Sequence, residues 1–292
     1  MRYEERRPPP DLAGEIECFW LVTGHGDEGK RLAERIVPDG CVELIVHLAD
    51  PFARPDGEVQ PRGFVVGEMT RPIVVAPTGA VRTLGVRFRP GQASCFIGMP
   101  LAELTDRAAT LEEIWESAGG ALELELRNAP DQPRRIAAAE RFLRRRRSLA
   151  PAADPRVAWA VRQILRNRGN ITVEELARGS DLSVRQLERR FRARVGLSPK
   201  LLCRVVRFQG VFHAIGSDGA TGWARVALEC GYFDQAHLIR DFRDFAGDAP
   251  AAFLAEEGEL SRRFTSPARL SALFEEGEAM SASSKTARGS SF

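Results

Sequence analysis

Between residues 15 and 89 apolar side chains recur at every second position. Val42, Leu44, Val46 and Leu48 share one face, and Leu84, Val86 and Phe88 share another with Arg87 and Arg89 opposite, the period of a half-buried strand. Shorter apolar runs at Cys18–Val22, Phe64–Val66 and Ile73–Val75, separated by Gly, Pro and Asp, complete a predicted antiparallel set of about six to eight strands. No helical stretch interrupts them, which favours a sandwich or barrel over a parallel α/β sheet. From Ala93 the spacing turns helical, through Leu101–Leu104, Leu111–Trp115, Leu122–Leu126 and Pro133–Arg147. Ser148 to Asp154 is a small, proline-containing linker candidate. The predicted class is α+β in two domains: an N-terminal antiparallel sandwich or barrel with a helical appendix, then an all-α domain. Its expected bounds are 1–132 for the β-rich domain, 133–153 for a helix and linker, 154–256 for the helical domain and 257–292 for a polar, disordered tail.

The helical part carries an internal repeat. Leu187, Arg189, Phe191, Arg192, Gly196 and Pro199 each recur 51 positions later as Leu238, Arg240, Phe242, Arg243, Gly247 and Pro250, whereas Ala177 matches Ala227 at a separation of 50. One residue is therefore inserted in the turn of the second copy. Each copy reads as helix, turn, helix. In the first, Thr172 with Glu175 and Ser183 with Gln186 have capping-box spacing, and Gly179 stops the leading helix. The second helix of the copy buries Leu187, Phe191 and Val195 and displays Arg185, Gln186, Glu188, Arg189 and Arg192. In the second copy Trp223, Val226 and Ala227 pack the leading helix and Gly231 ends it, while Asp234 caps a helix that buries Leu238, Phe242 and Phe245. That helix displays Gln235, Ala236, His237, Arg240 and Arg243. Arg can bond both acceptors of a guanine edge, and Gln or His can read adenine or guanine edges, in a groove that admits a helix. Between the copies Ser198 and Pro199 start a longer helix whose stripe packs on both. Asp154 and Pro155 start the leading helix of the domain.

The repeat and its displayed side chains resemble the tandem helix–turn–helix domain of the AraC/XylS family of bacterial transcription regulators. The matching segments are LARGSDLSVRQLERRFRARVGLSP and VALECGYFDQAHLIRDFRDFAGDAP. The resemblance implies sequence-specific binding of double-stranded DNA through the two displayed faces, with RNA polymerase as a further partner. Asp241 and Asp244 depart from a purely basic second helix. PDGCVELIVHL and GVRFRPGQ resemble the sensor regions of such regulators, which implies a cupin-like β-domain that binds a small-molecule effector or forms a homodimer.

Composition sharpens this picture in one respect. The 292 residues carry a net charge of only +2, a poor sign for a nucleic-acid binder. Divided at the linker and the tail, the chain carries −3 over 1–154, +5 over 155–256 and 0 over 257–292. The excess lies on the repeat. The longest uncharged stretch, Pro90 to Ala102, is far short of the ~20 residues that cross a bilayer, and the N-terminus lacks the apolar core of a signal peptide, so a cytoplasmic protein is expected.

Other chemistry is scarce. Five cysteines, Cys18, Cys41, Cys95, Cys203 and Cys230, lie too far apart for a paired metal knuckle. Only His25 and His47 fall in the first 154 residues, too few for a three-histidine metal site. No cofactor and no catalytic residue is expected. Gly24-His25-Gly26-Asp27-Glu28-Gly29 matches a nucleotide-binding spacing but carries two carboxylates and lacks room for the helix that must follow, so a hairpin loop is the better reading. Ligand-binding candidates in the β-domain are Trp20, Cys41, Arg87 and Phe88. Against them stand core roles for Trp20, Phe88, Cys41 and His47, and solvent exposure for Arg87 and Arg89. The thiol of Cys41 would need Arg35 or Arg87 beside it to be reactive. Arg144 to Arg147 suit either phosphate contacts or a solvated helix end. Two rival functions share these features: an enzyme targeted to DNA, such as a repair methyltransferase fusion, and a module that binds protein through the helical domain.

Overall fold

A computed structural model describes residues 1–25, 33–150, 153–215 and 222–256. The β-rich half contains β1 (Arg2–Arg6), β2 (Ile16–His25), β3 (Glu34–Ile36), β4 (Glu43–His47), β5 (Phe52–Ala53), β6 (Gly63–Val66), β7 (Ile73–Pro77), β8 (Ala80–Phe88) and β9 (Ala108–Thr110). Six form one antiparallel sheet in the order β1-β2-β8-β4-β6-β9, and the other three a second sheet, β3-β7-β5. The period-two pattern now has two buried destinations. Phe19, Leu44, Val46, Leu84, Val86 and Phe88 point from the large sheet into a core shared with α1 (Leu111–Trp115), α2 (Ser117–Asn128) and α3 (Gln132–Leu149). Cys18, Trp20, Val22 and Val81 point the other way, onto Phe52 and Val75 of the small sheet. The half thus has three layers, helices, large sheet and small sheet.

Four strands, β1, β3, β5 and β9, lie outside the apolar runs read from the sequence. β1 reads RYEER and has no apolar alternation, yet it pairs along its whole length with β2, and Tyr3 stacks over Trp20 with ring centroids 6.3 Å apart. β9 lies inside the stretch read as helical and adds three residues to the edge at β6. The arginine run corrects another expectation. Arg144 and Arg147 lie against the N-terminal segment, Arg144 Nε at 2.8 Å from Asp11 and Arg147 Nη1 at 3.3 Å from Glu15, and Arg146 lies over the Trp115 ring. These cations fasten α3 to its own half. The GxGxxG stretch beyond His25 and the tail from 257 lie outside the described residues.

The helical half comprises α4 (Pro155–Arg166), α5 (Val173–Gly179), α6 (Val184–Val195), α7 (Pro199–Ile215), α8 (Trp223–Glu229), α9 (Gln235–Ala246) and α10 (Pro250–Glu256). The expected caps are present: Asp154 accepts from Arg156 N, Thr172/Glu175 and Ser183/Gln186 form reciprocal boxes, and Asp234 accepts from His237 N. Gly179 is the last residue of α5, but the left-handed turn residue is Asp181, at φ 54°, matched by Gly231 at φ 77° in the second copy. Gly179 serves packing instead, since a Cβ there would stand 2.0 Å from the Trp159 ring. α7 is the common support, in contact with α4, α6, α8 and α9. At ~1.5 Å per residue it is a strut of roughly 25 Å. Among the described residues no helix is long and apolar enough to cross a membrane.

Candidate functional site

The two helix–turn–helix units present equivalent faces. Leu187, Phe191 and Val195 of α6, and Leu238, Phe242 and Phe245 of α9, are buried in one core, which turns the opposite side of each helix outward. Arg185, Arg189 and Arg192 on α6 and Arg240 and Arg243 on α9 are exposed. Among the described residues no hydrogen bond or ion pair holds these five guanidinium groups, whereas Arg190 is bound to Asp154 at 2.8 Å and Arg204 to Asp241 and Asp244 at 2.8 and 2.6 Å. Exposed cations without internal partners are what a polyanion needs.

The remaining expected side chains divide. Gln235 and Ala236 are exposed and Glu188 is half-buried. The Oε1 of Gln186 accepts from Ser183 N at 2.9 Å, so the capping box commits its oxygen and leaves the amide nitrogen as a donor. His237 is half-buried, its ring edge-on to Tyr232 at 5.2 Å. Asp241 and Asp244 do not burden the outer face. Asp241 is buried and turned toward Arg204 of α7, so this pairing is a structural contact of α9 with its support.

Between the two sheets of the β-rich half is a cavity of about 90 Å³. Its walls are mostly apolar, with Trp20, Ile36, Phe52, Met69 and Ile73 among them, and Arg87, Glu43 and Asp39 are among the polar side chains that line it. Arg87 is buried rather than exposed, because the face opposite Leu84, Val86 and Phe88 is roofed by the small sheet. Its Nε donates to Glu43 at 2.6 Å, with Asp39 at 3.8 Å and Glu17 at 3.9 Å. Burial opposes its charge, and the three carboxylates more than offset that, holding the guanidinium protonated. Trp20 Nε1 donates to the same Glu43 at 3.3 Å. Cys41 also lines the cavity; it is buried, and its thiol donates to Glu17. Arg35, the other neighbour expected for this thiol, reaches the helical half instead. Phe88 lies on the far face, stacked on Phe96 at 5.1 Å, and does not line the cavity. His47 is held between Thr83 and Gln60, both at 3.1 Å. Burial lowers its pKa to about 4, so it is neutral near pH 7.

The residues that connect the two halves carried no sequence signal. Gln209 of α7 donates to the carbonyl of Pro38 at 2.6 Å inside the protein, and Val37 belongs to the core of the helical half. Asp39 and Cys41, from the same loop, face the cavity. Thr105 donates to the carbonyl of Gly196, the left-handed cap of α6, at 2.7 Å. Arg35 donates to the carbonyl of Ala246, the last residue of α9, at 3.1 Å. The β-rich half therefore holds both outward helices at their C-terminal ends.

With this geometry in view, residues 176–256 match the family model described as a helix-turn-helix domain. This C-terminal part is an AraC-type helix-turn-helix domain, and the chain is a DNA-binding transcription regulator. In the same regulator residues 4–110 match a second family, described as a domain of unknown function, DUF6597. No curated protein sequence matches the regulator. Among solved structures it is similar to ToxT from Vibrio cholerae, at 7% identity and a TM-score of 0.45 over 82% of this chain and 98% of that one. It is also similar to unsaturated fatty acid bound wild-type ToxT from Vibrio cholerae strain SCE256, at 9% identity and a TM-score of 0.41 over 88% and 98%.

Proposed function

We propose that this regulator reads DNA with α6 and α9 and that its cavity admits a small effector. The reading rests on one observation above the others: five exposed guanidinium groups without partners among the described residues, on equivalent faces of two helices fixed to one strut. Arg189 and Arg240 are the base-reading pair and Arg192 and Arg243 the phosphate pair, assisted by Arg185, Gln186, Glu188, Gln235, Ala236 and His237. Two helices so held can enter successive major grooves ~34 Å apart.

An effector with an apolar body would lie against Trp20 and place a polar group at the Arg87–Glu43–Asp39 cluster. Since Asp39 shares its loop with Val37 and Pro38, displacement there would pass to α7 and alter the spacing of the two helices. The working division is 1–132 for sensing and self-association and 154–256 for DNA. The protein acts by binding rather than turnover, in the cytoplasm, as a homodimer where half-sites require it, with RNA polymerase as the downstream contact.

The test is a salt series on duplexes selected from a random library by the full-length protein. Log K should fall linearly with log salt, by about 0.9 for each phosphate neutralised. A flat salt response would overturn the reading in favour of a protein-binding module.

A further inference from the structure

We propose that Phe233 is a DNA-contacting residue of the second unit, reading a thymine methyl group; this rests on the DNA-binding reading above. The two turns identify it. In the first unit Leu182 N donates to Ala177 O at 3.0 Å, and in the second Tyr232 N donates to Ala227 O at 2.8 Å. Tyr232 therefore takes the place of Leu182. The N-caps that follow are Ser183 and Asp234, so the extra residue of the second turn is Phe233.

This phenyl ring is 92% exposed, the most exposed of the large hydrophobic side chains among the described residues. Helix start-up does not account for it. A hydrophobic residue just before an N-cap ordinarily folds back onto the fourth helical residue. Leu182 does pack against the core of the first unit, and in the second unit Tyr232, 3% exposed, already fills that place. The inserted ring points away from the protein.

Its position selects the partner. It precedes the N-cap of α9, and the N-terminal end of a recognition helix is the part that approaches base edges. Its neighbours Gly231, Asp234 and Gln235 are exposed, and among the described residues of this unit Leu228 on the preceding helix is the one other large exposed apolar side chain. Two such residues fall far short of the ~800 Å² per partner that a stable protein contact buries. In the major groove the apolar feature available to a ring is the 5-methyl group of thymine.

Full-length protein is used to select duplexes from a random library, and each thymine is then replaced in turn by deoxyuridine, which lacks the methyl. Wild type should lose about fourfold in affinity at one thymine of the second half-site, the worth of one buried methyl-sized group. Phe233→Ser should show the same loss on the thymine duplex and none further on deoxyuridine. A scan flat for wild type, or a deoxyuridine effect that persists undiminished in Phe233→Ser, overturns the proposal. So does wild-type DNA affinity in Phe233→Ser with loss of transcription alone, which would assign the ring to a protein partner. If Phe233→Ser melts early, Phe233→Leu keeps an apolar tip and should retain the deoxyuridine effect; its absence there counts against the contact. Failure of wild type to select any duplex would instead defeat the DNA-binding reading.

Discussion

Arg204→Met removes the cation that joins α7 to α9 while keeping most of its apolar length. The carboxylate of Asp241 is 3% exposed and accepts from Arg204 Nε at 3.1 Å and Nη2 at 2.8 Å, whereas that of Asp244, at 2.6 Å, is 53% exposed. The exposed pair is worth ~0–1 kcal/mol. Stranding a buried carboxylate costs ~3–5 kcal/mol, and since Arg204 itself is 28% exposed water should soften this to about 3 kcal/mol. Urea unfolding at pH 7 should therefore show a lowered midpoint with an unchanged slope. Asp244→Asn should cost under ~1 kcal/mol. Adding Asp241→Leu to Arg204→Met should recover most of the loss, because the buried charge is then gone as well. A cost below ~1 kcal/mol for Arg204→Met, or equal costs for Asp244→Asn and Arg204→Met, would refute a desolvated Asp241 pair. Arg204→Met should also weaken DNA binding most at low salt, since two uncompensated carboxylates then stand on α9.

Two further perturbations follow from the β-rich half. Both carboxylate oxygens of Glu68 are buried without a hydrogen-bond partner among the described residues, and burial, reinforced by Asp39, pushes its pKa well above the usual range. Stability from the neutral acid is full below the unfolded value of ~4.3 and is lost as pH climbs toward the raised folded value, so Glu68→Gln should match wild type near pH 4 and melt higher near pH 8. Equal melting temperatures at pH 8 would contradict a strained Glu68. At Gly85, paired across the sheet with Trp20, a Cβ would stand 1.9 Å from the indole. Gly85→Ala should cost ~1–3 kcal/mol by overpacking and change the near-ultraviolet circular dichroism of the tryptophans; an unaltered spectrum with wild-type stability would sink that expectation.

The recognition unit was legible because its physics is local. Caps such as Thr172/Glu175 and Asp234, and stripes such as Leu187/Phe191/Val195, depend on residues within one or two turns. The repeat even announced an extra residue in the second turn, although only the hydrogen bonds of Leu182 and Tyr232 show that it is Phe233. Long-range matters were not legible. The alternation in β8 placed Arg87 opposite Val86, but a two-fold period does not say whether the second face meets water or another sheet; here it meets β3, β5 and β7, and the cation is buried among carboxylates. Phe88, weighed as either a ligand contact or a core aromatic, belongs to the core of the helical layer. β1 forms without any apolar pattern because an edge strand can be held by backbone pairing and one aromatic contact, that of Tyr3 with Trp20. The contact of Arg35 with Ala246 spans 211 residues, and no spacing rule reaches so far.

Val37 bears on how such a protein can be taken apart or recombined. It lies upstream of the whole sheet-to-helix transition, yet it is 2% exposed in the core of the helical half, with Gly40, at φ 78°, close against Leu202. The place where the chain crosses from one half to the other is therefore not the place where one core stops and the next begins. A chimera that joined residues 154–256 to a foreign β-domain at the linker would inherit a socket without its plug. The heritable unit is the helical half together with the Val37–Gly40 loop, and a donor sensor has to supply an equivalent of both the buried side chain and the Pro38 carbonyl that Gln209 holds.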